Sequence, residues 1–432
     1  MADLHKSPAV HPFAEMRLDV PPVRYLANGI PVYVVDGGAD GVNRLSVFVR
    51  GGTLDTLRPM QPTLTALSAI DGTVTRSRAQ IAETLDYYGA WKSVQSYDEW
   101  VEIAFWSLNS NYQWSLDVLC DSLANPAFRE QDFAVLRRRH AATCATSHRQ
   151  PNYLAALEAR RILYGDTHPL ALDTTPEGIN AFTSDHLSDF HRQYYNTANM
   201  CVVLSGQITD NIYRLTDSTL GSLDMPGAEA PRFDWEAHRQ PYAACQRVVD
   251  CRDAVQSAIR IVIPAVPRQH PDYLKIRVLA HVLGGYFGSR LMRNIREDKG
   301  YTYGINAYLS GREYEGHIGI STECGTAHTW DVIDQVKMEM ERLCNEAVPL
   351  DELELVRQYM LGDLAKTLDT PLSVGGYVSS IITMGMYPDY FNRQVETIKT
   401  VTPAELLEMA QRYLLEDRMS VAIAGDCNRL RT

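Results

Sequence analysis

The chain repeats itself. Residues 179–206 read INAFTSDHLSDFHRQYYNTANMCVVLSG and residues 398–425 read IKTVTPAELLEMAQRYLLEDRMSVAIAG, ungapped at a constant offset of 219. Ile179 and Ile398, Thr183 and Thr402, Leu187 and Leu406, Tyr194 and Tyr413, Val202 and Val421, and Gly206 and Gly425 are identical pairs. The same offset pairs Asp132 with Asp351, Leu136 with Leu355 and Arg138 with Arg357. A repeat this long constrains the chain to fold as two copies of one unit. Length alone, 432 residues, allows two to four domains.

Each copy has the same local logic. Thr183 and Thr402 stand where a hydroxyl can accept from the free N–H groups of a first helical turn. Leu187, Phe190 and Tyr194, and then Leu406, Met409 and Tyr413, recur at helical spacing. A short apolar run closes each copy, Met200-Cys-Val-Val-Leu or Met419-Ser-Val-Ala-Ile, and reads as a buried strand. The halves also begin alike. Ile30–Val35 and Leu45–Val49 read as paired strands around Gly37–Gly41, and Cys245–Val249 with Ser257–Ile263 fill that place in the second half. Residues 223–235 carry two prolines and a glycine and read as a linker. The expectation is an α+β chain of two homologous domains, 1–222 and 236–432, each a mostly antiparallel sheet with helices packed on one face.

Composition narrows the function classes. Apolar residues make up 45%, and the net charge of -12 argues against a general nucleic-acid binder. No apolar run reaches the roughly 20 residues that span a membrane, and the amino-terminal stretch lacks the basic and apolar regions of a secretory leader. The eight cysteines are scattered, with no Cys-x-x-Cys, as expected of reduced thiols in a cytoplasmic protein.

The most distinctive segment is Leu283–Ser310, LGGYFGSRLMRNIREDKGYTYGINAYLS. Its glycines suit a tight loop, Ser289 an N-cap, and Leu291, Met292 and Ile295 the apolar face of a helix. Gly300 suits the residue just past that helix, and Tyr301–Tyr308 reads as a strand. GGYFG lacks the spacing of a phosphate-binding loop, and no Gly-Lys-Ser/Thr follows. The segment closely resembles the C-terminal half of the insulinase-like (pitrilysin) zinc peptidases. The likeness extends to Leu26-Ala-Asn-Gly-Ile-Pro-Val-Tyr33, Gly51-Gly52-Thr53, Ile81–Ala90 and Asn125-Pro-Ala-Phe128.

Active members of that family carry His-x-x-Glu-His on an N-terminal helix, two zinc ligands around a general base. The interval here reads Gln61–Thr73. Counting back from Gly72-Thr73 places Thr63 and Leu67 at the histidine positions and Ala66 at the base. The downstream glutamate falls near Thr143, in a stretch without a carboxylate. No His-x-x-Glu-His occurs anywhere in the chain. His140 and Cys144 lie one helical turn apart but are too few to hold a metal. His186 and His191 read as structural or surface residues.

What the resemblance retains is an arginine and a tyrosine, Arg296 and Tyr303, with Tyr301 a rival for the tyrosine role. In the family these bind the substrate backbone and the developing oxyanion. The resemblance implies a zinc-free, non-catalytic subunit of a heterodimeric metalloendopeptidase. No activity is expected of it alone. Zn is expected in a homologous partner carrying His-x-x-Glu-His, with peptide substrates added as strands to a sheet edge and no nucleic-acid or membrane partner. Two other readings stay open: a structural core-type subunit of a larger assembly, and a stand-alone peptide-binding protein.

Overall fold

The computed structural model describes residues 15–430. The amino-terminal stretch read for a leader, and the outer ends of the 1–222 and 236–432 spans, lie outside the described residues. In the first half the order is β1 (Arg24–Tyr25), β2 (Pro31–Asp36), β3 (Val42–Arg50), α1 (Gln61–Asp71), α2 (Arg78–Tyr87), β4 (Trp91–Ser96) and β5 (Trp100–Leu108). Then come α3 (Tyr112–Ala124), α4 (Glu130–Ser147), α5 (Pro151–Tyr164), α6 (Pro176–Asn180), α7 (Ser184–Tyr194), β6 (Met200–Gly206) and α8 (Asp210–Thr219). Residues 223–234 hold neither helix nor strand, and the short helix α9 (Trp235–His238) follows.

The second half repeats the plan with β7 (Gln246–Asp250), β8 (Gln256–Ala265), α10 (Tyr273–Gly284), a π-helical turn (Met292–Asp298), β9 (Thr302–Gly311) and β10 (Gly316–Gly325). It closes with α11 (Thr329–Asn345), α12 (Leu350–Thr367), α13 (Pro371–Thr383), α14 (Tyr390–Thr400), α15 (Pro403–Tyr413) and β11 (Ser420–Gly425).

The sheets run β1-β2-β6-β3-β5-β4 and β7-β11-β8-β10-β9, the same topology with one extra edge strand in the first. Pairing is mostly antiparallel. The Thr183 and Thr402 hydroxyls cap α7 and α15, accepting from the His186 and Glu405 N–H groups. The two strands expected to pair at the start of each half do not. The repeat's closing strand lies between them: β6 pairs in parallel with β2 and antiparallel with β3, and β11 does the same with β7 and β8. The reason is burial. Every residue of β6 and β11 is buried, and such a strand belongs in the middle of a sheet with both faces covered.

One face is covered by each half's own helices. Met200, Val202 and Leu204 enter the first core beside Ile70, Leu116 and Phe190, while Val421 and Ile423 enter the second beside Val282, Leu353 and Leu406. The other face is covered by the opposite half. Helix α13 lies across β6, β2 and β3, and α5 lies across β8 and β11. Ile382 of α13 packs with Phe48, Cys201 and Val203. Ala155 and Ala159 of α5 meet Ala258, Ala424, Val262 and Ala422. Arg312, just past β9, ties the exchange by pairing with Asp98 at 2.5 Å and donating to the Tyr164 hydroxyl at the end of α5.

The structure also corrects the register of the repeat. Pro151 and Pro371 open equivalent helices, an offset of 220. The buried faces of α4 and α12 likewise match at 220: Phe133 with Leu353, Leu136 with Val356, Ala141 with Leu361, Cys144 with Leu364. The identities of Asp132, Leu136 and Arg138 with residues 219 further on are therefore one position out of structural register. Leu355 is exposed where Leu136 is buried. The offset returns to 219 at α7 and α15.

The closeness of the exchanged helices gives a test. A side chain on Gly375 of α13 would run into Ser205 of β6, whereas one on Gly376 meets only the Arg44 guanidinium, 3.6 Å away. Gly375→Val should lower stability by about 1–3 kcal/mol, the usual cost of overpacking. Gly376→Ala should be neutral or raise it by up to ~1 kcal/mol through helix propensity. Urea unfolding followed by circular dichroism compares the two.

Candidate functional site

Two regions bear on chemistry, one in each half. The first lies on α1. Thr63 and Leu67 are half-buried and one turn apart, so they share the side of the helix where two metal-binding histidines would stand. The Thr63 hydroxyl is hydrogen-bonded to Ser96 at the end of β4, 2.8 Å away. Leu67 joins an apolar cluster with Leu64, Phe133, Leu136, Phe182 and Leu187, and Ala66 is completely buried. Thr143 is exposed on α4, and its hydroxyl donates to the Arg139 carbonyl of its own helix at 3.1 Å. A neutral hydroxyl already engaged, a methyl and a leucine give a zinc ion no donor set, so these residues do not fit the metal. Among the described residues no three His, Cys, Asp or Glu side chains gather into a metal-holding group.

The second region follows α10. Residues 290–298 form a helix that widens into a π turn, with the Lys299 N–H reaching back to the Asn294 carbonyl at 3.2 Å. Gly300 leaves it in the left-handed region, φ 67°, as the sequence predicts. Ser289 sits at the start of this helix, but its buried hydroxyl has no partner, so it does not cap. The helix is anchored from both sides. Arg290 makes two 2.9 Å bonds to the Glu352 carboxylate of α12, and Asn294 donates to Glu339 of α11 at 2.6 Å.

This anchoring delivers Arg296 to the surface beside β9. The guanidinium lies over two rings, 4.5 Å from the centre of Phe287 and 5.4 Å from that of Tyr303. Tyr303 is 91% exposed and Phe287 61%. Among the described residues no carboxylate pairs with Arg296, so its donors stay open while ring contacts hold its plane. Tyr301 is placed differently: it packs against the core and stacks on His328 at 4.3 Å. Sequence reasoning brought Arg296 and Tyr303 forward but missed Phe287, although an aromatic inside the GGYFG loop was the available signal.

The histidines fall elsewhere. His191 is half-buried, donates from Nε2 to the Leu123 carbonyl at 2.9 Å, and stacks on Tyr195. Burial, partly offset by that hydrogen bond, pushes its pKa down to about 4. His186 accepts from the Thr183 N–H in the α7 cap. His140 does not share a site with Cys144. Instead Cys144 meets His148, Sγ to Nδ1 3.5 Å, and His148 Nε2 faces Asp173 at 3.0 Å, with Tyr153 donating to the same carboxylate at 2.7 Å.

This series has the order of a nucleophilic triad but not its chemistry. The thiol donates to the Thr174 carbonyl at 2.8 Å. Burial first, then the charges of Asp173 and Glu177, raise its pKa, so the thiolate is disfavoured. His148 Nδ1 faces the Cys144 carbonyl at 2.9 Å and cannot take the thiol proton. The cluster is a clamp between the end of α4 and the 173–174 loop. Burial lowers the His148 pKa, but hydrogen bonds to the Cys144 carbonyl and Asp173, with the Asp173 charge, outweigh it and the net shift is upward. A raised histidine stabilises the fold fully below its unfolded value near 6.5, and the stabilisation fades as pH rises through the folded value. Melting temperature should therefore decline more between pH 6 and pH 8.5 in the wild type than in Asp173→Asn. Equal declines would remove the ion pair from the clamp.

The two halves share one α+β topology, and the comparisons with known proteins point to the peptidase M16 proteins. Residues 181–360 match the model described as peptidase M16 inactive domain. An uncharacterized zinc protease of Streptomyces coelicolor is 25% identical over 82% of this chain and 78% of its own length. One of Bacillus subtilis is 23% identical over 69% and 72%. In fold, the chain resembles the peptidase M16 inactive domain from Pseudomonas fluorescens, with a TM-score of 0.85, 20% identity and coverage of 95% and 98%. It also resembles a chain of Complex III2 from Candida albicans, with a TM-score of 0.75, 15% identity and coverage of 95% and 98%. The chain is thus similar to peptidase M16 proteins, with the family match falling on residues 181–360.

Proposed function

We propose that this chain is the zinc-free subunit of a heterodimeric zinc metallopeptidase, lending Arg296 and Tyr303 to the active site of a homologous partner. One observation carries this reading: the positions that would hold zinc offer no donors, while the guanidinium of Arg296 is held between exposed rings with its donors unpaired. Arg296 would donate to the carbonyl of a bound peptide and to the oxyanion that forms when it is attacked. Tyr303 would add one further donor. Zinc and the general base would come from the partner's His-x-x-Glu-His helix. The substrate would be an extended peptide, and the complex would work in the cytoplasm. No described helix is long and apolar enough to cross a membrane.

Co-expression with a homologue carrying His-x-x-Glu-His tests this. The pair should cleave an unfolded reporter peptide that neither chain cleaves alone. Arg296→Ala should lower kcat/KM by 10²–10³-fold, the usual loss of an oxyanion donor, with the complex intact by size exclusion. Tyr303→Phe should cost less. Unchanged turnover in both variants would refute the role given to the pair.

A second reading has its own support in the likeness to a chain of Complex III2. The chain would then be a structural subunit, and the Arg–Tyr pair a remnant. Purification with a partner that also lacks a zinc motif would favour it.

A further inference from the structure

Where the two halves and the segment joining them meet, the surface folds into a cavity of about 330 Å³. Its walls come from the turn between β4 and β5, from the end of α13 with residues just past β8 and β9, and from Arg232 and Trp235. Four arginines and three carboxylates line it. Three pairs use up the carboxylates: Arg312 with Asp98 at 2.5 Å, Arg232 with Glu313 at 3.3 Å and Arg50 with Glu99 at 3.6 Å. Arg312 also meets Glu315, which lines a neighbouring cavity. The fourth arginine, Arg268, pairs with no carboxylate among the described residues. Its guanidinium donates to the Met384 carbonyl at 3.3 Å and to that of Gly311. A guanidinium has more N–H donors than those two bonds use.

Trp235 points the same way. It is 9% exposed, and its indole N–H is buried with no acceptor among the described residues. The ring is held by Phe233 at 5.2 Å and His168 at 5.6 Å, centre to centre, and neither ring gives the N–H an oxygen. A buried donor without a partner is rare and costly, and this one belongs to the wall of the cavity that holds the unpaired cation. Both groups suit an acceptor that carries negative charge. Trp100, Ile382 and Met384 add apolar surface to the same lining.

We propose that this cavity binds a carboxylate joined to an apolar group, the chemistry shared by an N-acylated hydrophobic amino acid and the C-terminus of a short peptide. Arg268 donates to the carboxylate, the Trp235 N–H adds a further donor, and the apolar group lies against Trp100, Ile382 and Met384. The site is built by both halves, so its ligand stabilises their junction. It stands apart from the role given to Arg296.

Isothermal titration calorimetry of the full chain with N-acetyl-leucine and N-acetyl-leucinamide tests this. The acid should bind with a Kd of ~1 mM or tighter, at least tenfold tighter than the amide, and should raise the melting temperature. Arg268→Gln should weaken the acid at least tenfold, the usual loss when a charged hydrogen-bond partner goes. Trp235→Phe, which keeps an aromatic ring and removes the N–H, should weaken it several-fold. A Gly/Ser peptide ending in leucine separates the two sources: binding as N-acetyl-leucine does assigns the site to peptide C-termini, and failure beside a bound N-acetyl-leucine assigns it to small free acids. Equal affinities for acid and amide, or no binding of the acid at about 10 mM, would overturn the proposal. So would an affinity unchanged in both variants, because Arg268 would then serve only to tie the end of α13 to β9. If Arg268→Gln fails to fold, an unchanged affinity in Trp235→Phe is enough to overturn it.

Discussion

Everything else in the molecule depends on two strands that cannot face water on either side. β6 and β11 are buried along their whole length, and each sheet has helices of its own on one face only. The opposite face of each is closed by a helix from the other half. That exchange fixes the positions of the neighbouring strands, sets small residues where α5 and α13 approach, and brings Asp98, Tyr164 and Arg312 into one polar knot. The surface helices, including the one that delivers Arg296, are arranged on the far sides of the two sheets so joined.

Much of this was legible in the sequence because the repeat lies in elements whose local signals are strong. The capped helices at Thr183 and Thr402, the apolar runs at Met200 and Met419 and the left-handed Gly300 all follow from short-range chemistry. Strand order was not legible. Alternation and glycine-rich turns suggested that Ile30–Val35 pairs with Leu45–Val49, because neighbours in sequence usually pair. The insertion of β6 between them is decided by burial on both faces, a tertiary demand. The one-residue change of register between α4 and α12 was hidden for a related reason. Three identical residues at offset 219 outweighed, on paper, an apolar periodicity that only burial reveals.

The candidate site divides in the same way. That Thr63, Ala66 and Leu67 offer a zinc ion no donor set follows from residue type alone, because a metal needs particular donor atoms. The pairing of Arg296 with Tyr303 was readable through the family's motif. The ring of Phe287 was not, since a loop aromatic has no periodicity to place it. The Cys144–His148–Asp173 clamp was also out of reach: Asp173 reaches His148 from a separate loop, and distance along the chain says nothing of that contact.

The reciprocal passage of α5 and α13 gives the chain an internal symmetry. Each half gives the other an equivalent helix and receives one back, which is the pattern of an isologous two-fold interface between identical subunits. One covalent chain thus has the arrangement of a dimer of a single half, without the requirement that the two copies be identical: Thr63 and Leu67 stand on a helix of one, and the other displays Arg296 beside two exposed rings.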